Sequence, residues 1–427
     1  MPSFSLENDL SLQSAATIRT EQERLLNEHV AYCRRHSPYY RRLLAGLPER
    51  ALRLEELPLL PLTSKGDLAE HNDDFIAAPQ RAIADICFTS GTTGRPCRIA
   101  YTTSDLERLA YNDARGFLAA GLSADDTVLM TCTMDRCFIA GLAYYLGVVK
   151  IGAAAVRNGL TSMESHAEII RDGQITAIVG VPSFLAKLGH YLQDKGIDAS
   201  GIRHLICIGE PLRTRAMGLT PLGEKLESYW PGAVYSTYAS SEIVTSFTEC
   251  AGRCGGHPPA DLALVEILDD AGQPLPPGRE GEVTVTPLQV TGMPLLRFRT
   301  GDISFQLAAD CPCGRRTLRL GPILGRKAQM LKVRGTTLFP SAFFHVLDQI
   351  DGVDNYYLEV SGQALSDEID LYISFHAGDM DSLRIEDALF ASTRLHVNLH
   401  SVSCTEARQK VFGSSRKPVR FFDLRQP

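Results

Sequence analysis

The chain predicts an α/β fold: a large amino-terminal domain of parallel-rich sheets with helices, a barrel-like antiparallel portion, and a small carboxyl-terminal α+β domain. Three observations carry this. Short apolar runs alternate with helical patterns through the first half. Near Asp261 the texture changes to alternating strands divided by a Pro/Gly-rich turn, and after Arg326 the chain reads as short strands and helices of its own. A length of 427 residues suits about two to three domains, and the boundary is placed at 1–325 and 326–427.

Taken in order, Ile18 to Leu47 carries apolar positions at helical spacing, with Leu25, Leu26, Val30, Ala31, Tyr39, Tyr40 and Leu43 as the inward side. Thr127–Met130, Ala177–Gly180, His204–Ile208 and Ala233–Tyr235 are short apolar runs of the kind buried parallel strands show. Leu264–Leu268 and Gly281–Thr286 read as an antiparallel pair. The carboxyl segment reads strand, helix (Ser341 to Gln349), strand (Tyr356 to Val360), strand (Glu368 to Phe375), helix, strand. No internal repeat and no low-complexity tract interrupts this.

With 43 Lys and Arg against 50 Asp and Glu, the formal charge is −7 and the cations are scattered. No nucleic-acid partner is expected. The first residues lack a basic start and an apolar stretch, and no run reaches the ~18 apolar residues of a membrane span. A cytoplasmic protein without a membrane partner is therefore expected. The 11 cysteines in so long a chain read as thiols or metal ligands rather than disulfides.

The densest chemical signal is Phe88-Thr89-Ser90-Gly91-Thr92-Thr93-Gly94-Arg95-Pro96. Glycines let backbone approach an oxyanion, amides and hydroxyls donate to it, and Arg95 supplies charge, so the run reads as a phosphate clamp. A polar hairpin loop is the plain alternative. A Walker loop would lead into a helix, whereas Cys97–Thr102 reads as a strand. A second constellation is Cys250-x6-His257 with Cys311-Pro312-Cys313: three sulfurs and an imidazole suit a closed structural zinc site, with Cys254 as a spare ligand.

The phosphate run resembles the Ser-Gly-Thr-Thr-Gly-Lys-Pro loop of the adenylate-forming superfamily, which comprises acyl-CoA ligases, luciferases and adenylation domains. Arg95 stands in place of the usual lysine; it keeps the charge but is planar. Further segments follow in the superfamily's order: Gly209-Glu210-Pro211, Tyr238-Ala239-Ser240-Ser241-Glu242, Phe298-Arg299-Thr300-Gly301-Asp302, Gly325-Arg326, and Lys332-Val333-Arg334-Gly335. The resemblance implies an ATP site of Ser90, Gly91, Thr92, Thr93, Gly94, Arg95, Glu210, Pro211, Tyr238, Ala239, Ser241, Asp302 and Arg326. It implies that Glu242 is catalytic and sits near magnesium, that Asp302 accepts from the ribose hydroxyls, and that Lys332, Arg334 and Gly335 line the path of coenzyme A.

Across nearly the whole chain the resemblance is to the phenylacetate–CoA ligase branch, through Leu57-Pro58, Thr63-Ser64-Lys65-Gly66-Asp67-Leu68, Tyr101-Thr102-Thr103-Ser104-Asp105, Pro182-Ser183, Glu249-Cys250, Met293–Arg297 and Leu338-Phe339-Pro340. The terminal Arg416–Arg425 segment resembles that branch's Gly-Lys-x-x-Arg-Val-Ile-Asp ending, which makes Lys417 the expected catalytic lysine. A similar Cys/His arrangement also recurs in the branch.

Two departures stand out. Ala328-Gln329 occupy the hinge positions where the family has Asp-Asp, and Thr133–Gly141 replaces a glycine- and aromatic-rich stretch near the acid pocket. An acid other than phenylacetate is therefore expected. The implied reaction is ATP-dependent, AMP-forming ligation of a carboxylic acid to coenzyme A, with ATP, Mg2+ and CoA bound and zinc in a structural role. The alternatives are an adenylating enzyme with another acceptor, or a nucleotide-binding homologue without catalysis. Whether the chain is a homodimer is left open.

Overall fold

The computed structural model describes residues 4–47, 49–89, 97–135, 137–333, 336–363, 366–376, 382–393, 395–413 and 418–425. Helix α1 (Ala15–His36) begins at Ser14, whose side chain accepts from the Thr17 amide at 3.1 Å. The single helical layer expected to Leu47 is in fact broken. Ser37 ends α1 and caps α2 (Pro38–Leu43), because Pro38 has no amide to continue the ladder and is suited to a first turn. The break re-phases the buried face: Ala31 and Leu43 turn outward, while Cys33, Tyr40 and Leu44 are buried.

Strand β1 (Thr63–Ser64) leads directly into α3 (Lys65–Glu70), whose start is fixed by a capping box between Ser64 and Asp67. β2 (Ile83–Phe88) and β3 (Arg98–Thr102) pair antiparallel, as the strand–loop–strand reading of the phosphate segment requires. A second capping box, Thr102 with Asp105, starts α4 (Thr103–Ala120), and Gly121 at φ +98° ends it in the left-handed conformation glycine takes without steric cost.

The parallel strands are β4 (Thr127–Met130), β5 (Ala154–Arg157), β6 (Ala177–Gly180), β7 (His204–Ile208) and β8 (Val234–Ser240), with α5 (Ile139–Lys150) between β4 and β5. They lie in the order β8-β7-β6-β4-β5. Val128, Met130, Val179 and Ile206 are buried with Phe117 of α4 and Tyr144 of α5 in one core. The same sheet continues antiparallel through β9 (Thr245–Glu249), β10 (Gly256–His257), β11 (Ala263–Leu268), β12 (Glu280–Pro287), β13 (Phe298–Leu307) and β14 (Arg319–Leu320). β11 and β12 form the expected antiparallel pair. β15 (Gly325–Arg326) joins β13 at Asp302 and Ile303.

The chain divides into two compact units, the smaller holding Leu324–Pro427 with the short pieces Thr220–Leu222 and Gly301–Ile303. In the smaller unit β16 (Leu331–Val333) and β17 (Thr336–Leu338) form a hairpin. β18 (Val353–Gln363), β19 (Ser366–Phe375), β20 (Asn398–Ser401) and β21 (Phe421–Asp423) form a sheet in the order β20-β19-β18-β21. Helices cover Ser341–Leu347, Ser382–Thr393 and Cys404–Phe412. The helix Cys404–Phe412 and β21 go beyond the expected pattern.

Candidate active site

Glu242 lies in the tight turn Ser241–Val244 that joins β8 to β9. Its carboxylate is nearly buried, accepts from the Ser240 hydroxyl, and faces the Lys65 ammonium at 3.5 Å. Lys65 is the first residue of α3, and although the sequence marks its motif, nothing there assigns it to this carboxylate. Tyr101 of β3, wholly buried, donates its hydroxyl to the Ser241 carbonyl at 3.0 Å and lies 3.3 Å from Cys87 Sγ of β2. The hairpin that carries the phosphate segment is thus tied to the Glu242 turn. Tyr238, on β8, pairs across the ladder with Phe247, their rings 5.8 Å apart.

Gly209 follows β7 at φ +80°, a conformation that turns the chain sharply at a strand end. The Glu210 carboxylate then accepts from the Ser183 amide (2.8 Å) and hydroxyl (2.9 Å), at the start of the helix Pro182–Asp194. Its charge stabilises that helix end. Further on, Arg213 grips the buried Glu249 with two hydrogen bonds of 3.0 and 3.1 Å. That pairing, which sequence reasoning missed, joins the turn after β7 to the strand that leads into Cys250.

In the smaller unit, Gly301 at φ +78° sets up the position of Asp302, which pairs in register with Arg326. The Arg326 guanidinium lies 3.6 Å from the Asp302 carboxylate. Two residues predicted separately are therefore brought together. At the carboxyl end, Arg420 donates to the Tyr356 hydroxyl at 2.7 Å and β21 pairs with β18, which anchors the segment after Lys417. Ser90, Gly91, Thr92, Thr93, Gly94, Arg95, Arg334, Gly335 and Lys417 lie outside the described residues, as does the side chain of Lys332.

Cys250, His257, Cys311 and Cys313 place one ligand atom each within 4.8 Å of one another. Cys250 and Cys311 sulfurs are 3.5 Å apart, and Cys313 Sγ is 3.6 Å from His257 Nε2. Cys254, 3.5 Å from Cys311, receives a 3.0 Å hydrogen bond from Arg319 instead.

The β2–β3 hairpin is thus bonded to an acidic turn that lies where the parallel strands end at β8 and the antiparallel ones begin at β9. The AMP-binding enzyme family model matches residues 41–292, more than half of the chain. Phenylacetate–coenzyme A ligase of Thermus thermophilus is 33% identical over 83% of this chain and 81% of its own length. That of Escherichia coli is 30% identical over 79% and 77%. The chain belongs to the AMP-binding enzyme family, in its phenylacetate–CoA ligase-like branch. A solved 2-hydroxyisobutyryl-CoA ligase bound to an acyl adenylate matches with a TM-score of 0.83 at 20% identity, covering 97% of this chain and 91% of that one, a likeness of fold.

Proposed function

We propose that this AMP-forming carboxylate–CoA ligase carries out two half-reactions on a small carboxylic acid other than phenylacetate. In the first, a carboxylate oxygen bonds to the α-phosphorus of ATP and the bond to the bridging oxygen breaks, releasing pyrophosphate. In the second, the CoA sulfur bonds to the acyl carbon, AMP leaves with the electron pair, and the thiol proton passes to solvent.

The observation that carries this reading is the Tyr101 link between the phosphate-segment hairpin and the buried Glu242 turn. It puts the chain's acidic group at a fixed place relative to β2 and β3, which flank the glycine run. Glu242 is the residue that would hold the phosphate-bound magnesium, an ion that offsets phosphate charge. Lys65, 3.5 Å away, orients that carboxylate before ATP arrives. Asp302 accepts from the ribose, with Arg326 holding it in place. Lys417 offsets charge as two anions meet in the first half-reaction, and Lys332, Arg334 and Gly335 receive CoA in the second.

The cysteine cluster fits structural zinc, remote in role from the chemistry. Tetrahedral zinc with sulfur ligands at about 2.3 Å sets its sulfurs about 3.8 Å apart, close to the spacing of Cys250 and Cys311. Arg319, bonded to Cys254, and Arg315, beside Cys313, bring positive charge to the sulfur cluster. Purified protein should hold about one zinc per chain, and Cys311→Ser should lose metal and thermal stability together. Metal-free protein purified without chelator would remove zinc from the account.

The reaction is tested by pyrophosphate release against a panel of acids, phenylacetate included, with and without CoA. Thioester formed in step with pyrophosphate is the expected result. Pyrophosphate without thioester would mean a different acceptor, and AMP binding without turnover would mean no ligase.

A further inference from the structure

Arg108, in the second turn of α4, is among the largest wholly buried side chains of the protein. Its hydrogen bonds go to backbone oxygens and one hydroxyl: the Leu288 carbonyl at 2.7 Å, the Leu262 carbonyl at 2.5 Å, the Thr245 hydroxyl at 3.1 Å, and the Val244 carbonyl. Burying a guanidinium without a bonded carboxylate is costly, and an apolar side chain of similar volume would often stabilise such a place as well or better. Its planar fork of five donors, however, can draw three separate segments to one point.

One of those segments is strained. Val244 adopts φ +52°, a left-handed conformation that is a genuine outlier for a β-branched residue. Such strain persists only where neighbouring groups over-determine it. Here α4 and β3 grip the turn at both ends: Tyr101 donates to the Ser241 carbonyl and Arg108 to the Val244 carbonyl. Glu242 lies between the two grips.

We propose that Arg108, together with Tyr101, is a positioning residue that holds the strained Ser241–Val244 turn and so aims the Glu242 carboxylate at the metal on the ATP phosphates. This rests on the assignment of Glu242 above and adds the means by which the carboxylate is fixed. Arg108 and Tyr101 are both wholly buried. Both act through the turn, and the element that follows the phosphate segment thereby sets the metal site as well.

The test measures acid-dependent pyrophosphate release against Mg2+ concentration at saturating ATP, alongside melting temperature, for Arg108→Met, Arg108→Lys, Tyr101→Phe, Glu242→Gln and the double variant Arg108→Met/Val244→Gly. Arg108→Met should raise the Mg2+ needed for half-maximal rate about tenfold, the low end of what loss of a group supporting a metal ligand costs. Lysine should restore part of this. In the double variant the Mg2+ requirement should return towards that of the parent, because glycine takes the left-handed conformation without strain and no longer needs the clamp.

A melting temperature lowered by Arg108→Met with an unchanged Mg2+ profile would overturn the proposal and leave Arg108 a packing residue. A double variant no better than Arg108→Met would overturn it as well. If Arg108→Met does not fold, Tyr101→Phe, which removes one oxygen atom, decides by the same profile. Glu242→Gln separates the two layers: an unchanged profile there would overturn the Glu242 assignment itself.

Discussion

Asp113, on the inward face of α4, is a buried carboxyl. Burial pushes its pKa up to about 6, although Ser246 and Asn112 both donate to it and pull the other way. The ordinary value is 3.8. Between those two pH values the folded state binds more protons than the unfolded, so stability falls as pH rises and the full penalty is present above about pH 6. Its size is about 3 kcal/mol. His29 acts in the opposite sense: burial lowers it to about 4, so the folded state binds fewer protons between there and 6.5, and stability rises with pH. The two slopes offset each other in the parent protein. Asp113→Asn should therefore raise stability at pH 7 with little gain at pH 4, and leave a melting temperature that climbs between pH 4 and 6. Denaturation of both proteins at the two pH values measures this; equal gains at both would refute it.

At the scale of elements, the parallel strands were legible because Val128, Ile178, Ile206 and their neighbours form runs too short and too apolar for an exposed helix. The capping boxes at Ser64 and Thr102 were equally plain in residue type. The ends of elements were not. Ser37-Pro38 breaks a helix whose periodicity continues on both sides, and β21 is three residues long, held by its pairing with β18 rather than by any pattern of its own. Nor could the fastening of the Lys327–Gln329 turn be read. Where the family has an acidic pair, Ala328 and Gln329 offer no charge, but Arg425 reaches back to the Ala328 and Met330 carbonyls at 3.3 and 3.0 Å. Asp367 and Asp423 hold that guanidinium at 3.0 and 2.6 Å. The short turn Lys327–Gln329 is thus tied down by a cation from the chain's end rather than by its own side chains. Arg425→Ala should cost about 2 kcal/mol, the range of hydrogen bonds to charged groups. Arg425→Lys should lose most of the same, since a point charge cannot bond two carbonyls and two carboxylates at once. A lysine variant that melts with the parent would show that charge alone suffices.

At the scale of the whole molecule, the residues assigned to the chemistry are drawn from both units, those of the first half-reaction included. Glu242, Tyr101 and Lys65 belong to the larger unit, whereas Lys332 and the segment of Lys417 belong to the smaller. The lysine's role can be tested one half-reaction at a time. An ammonium that offsets the meeting of carboxylate and α-phosphate has nothing to do once pyrophosphate has left, because the acyl adenylate already exists and the incoming sulfur meets a carbonyl carbon. Lys417→Ala should therefore slow pyrophosphate release by about a hundred- to a thousandfold, the loss typical of one donor aimed at developing charge. ATP should still bind, since the proposed ribose and phosphate contacts lie on other residues. Thioester formation from acyl adenylate supplied ready-made should stay within about twofold of the parent, because the lysine contributes no interaction to that transition state. Rapid-quench measurement of each half-reaction separates these outcomes. Equal slowing of both would mean that Lys417 supports the unit as a whole, and an unchanged first half-reaction would move the catalytic cation elsewhere in the chain.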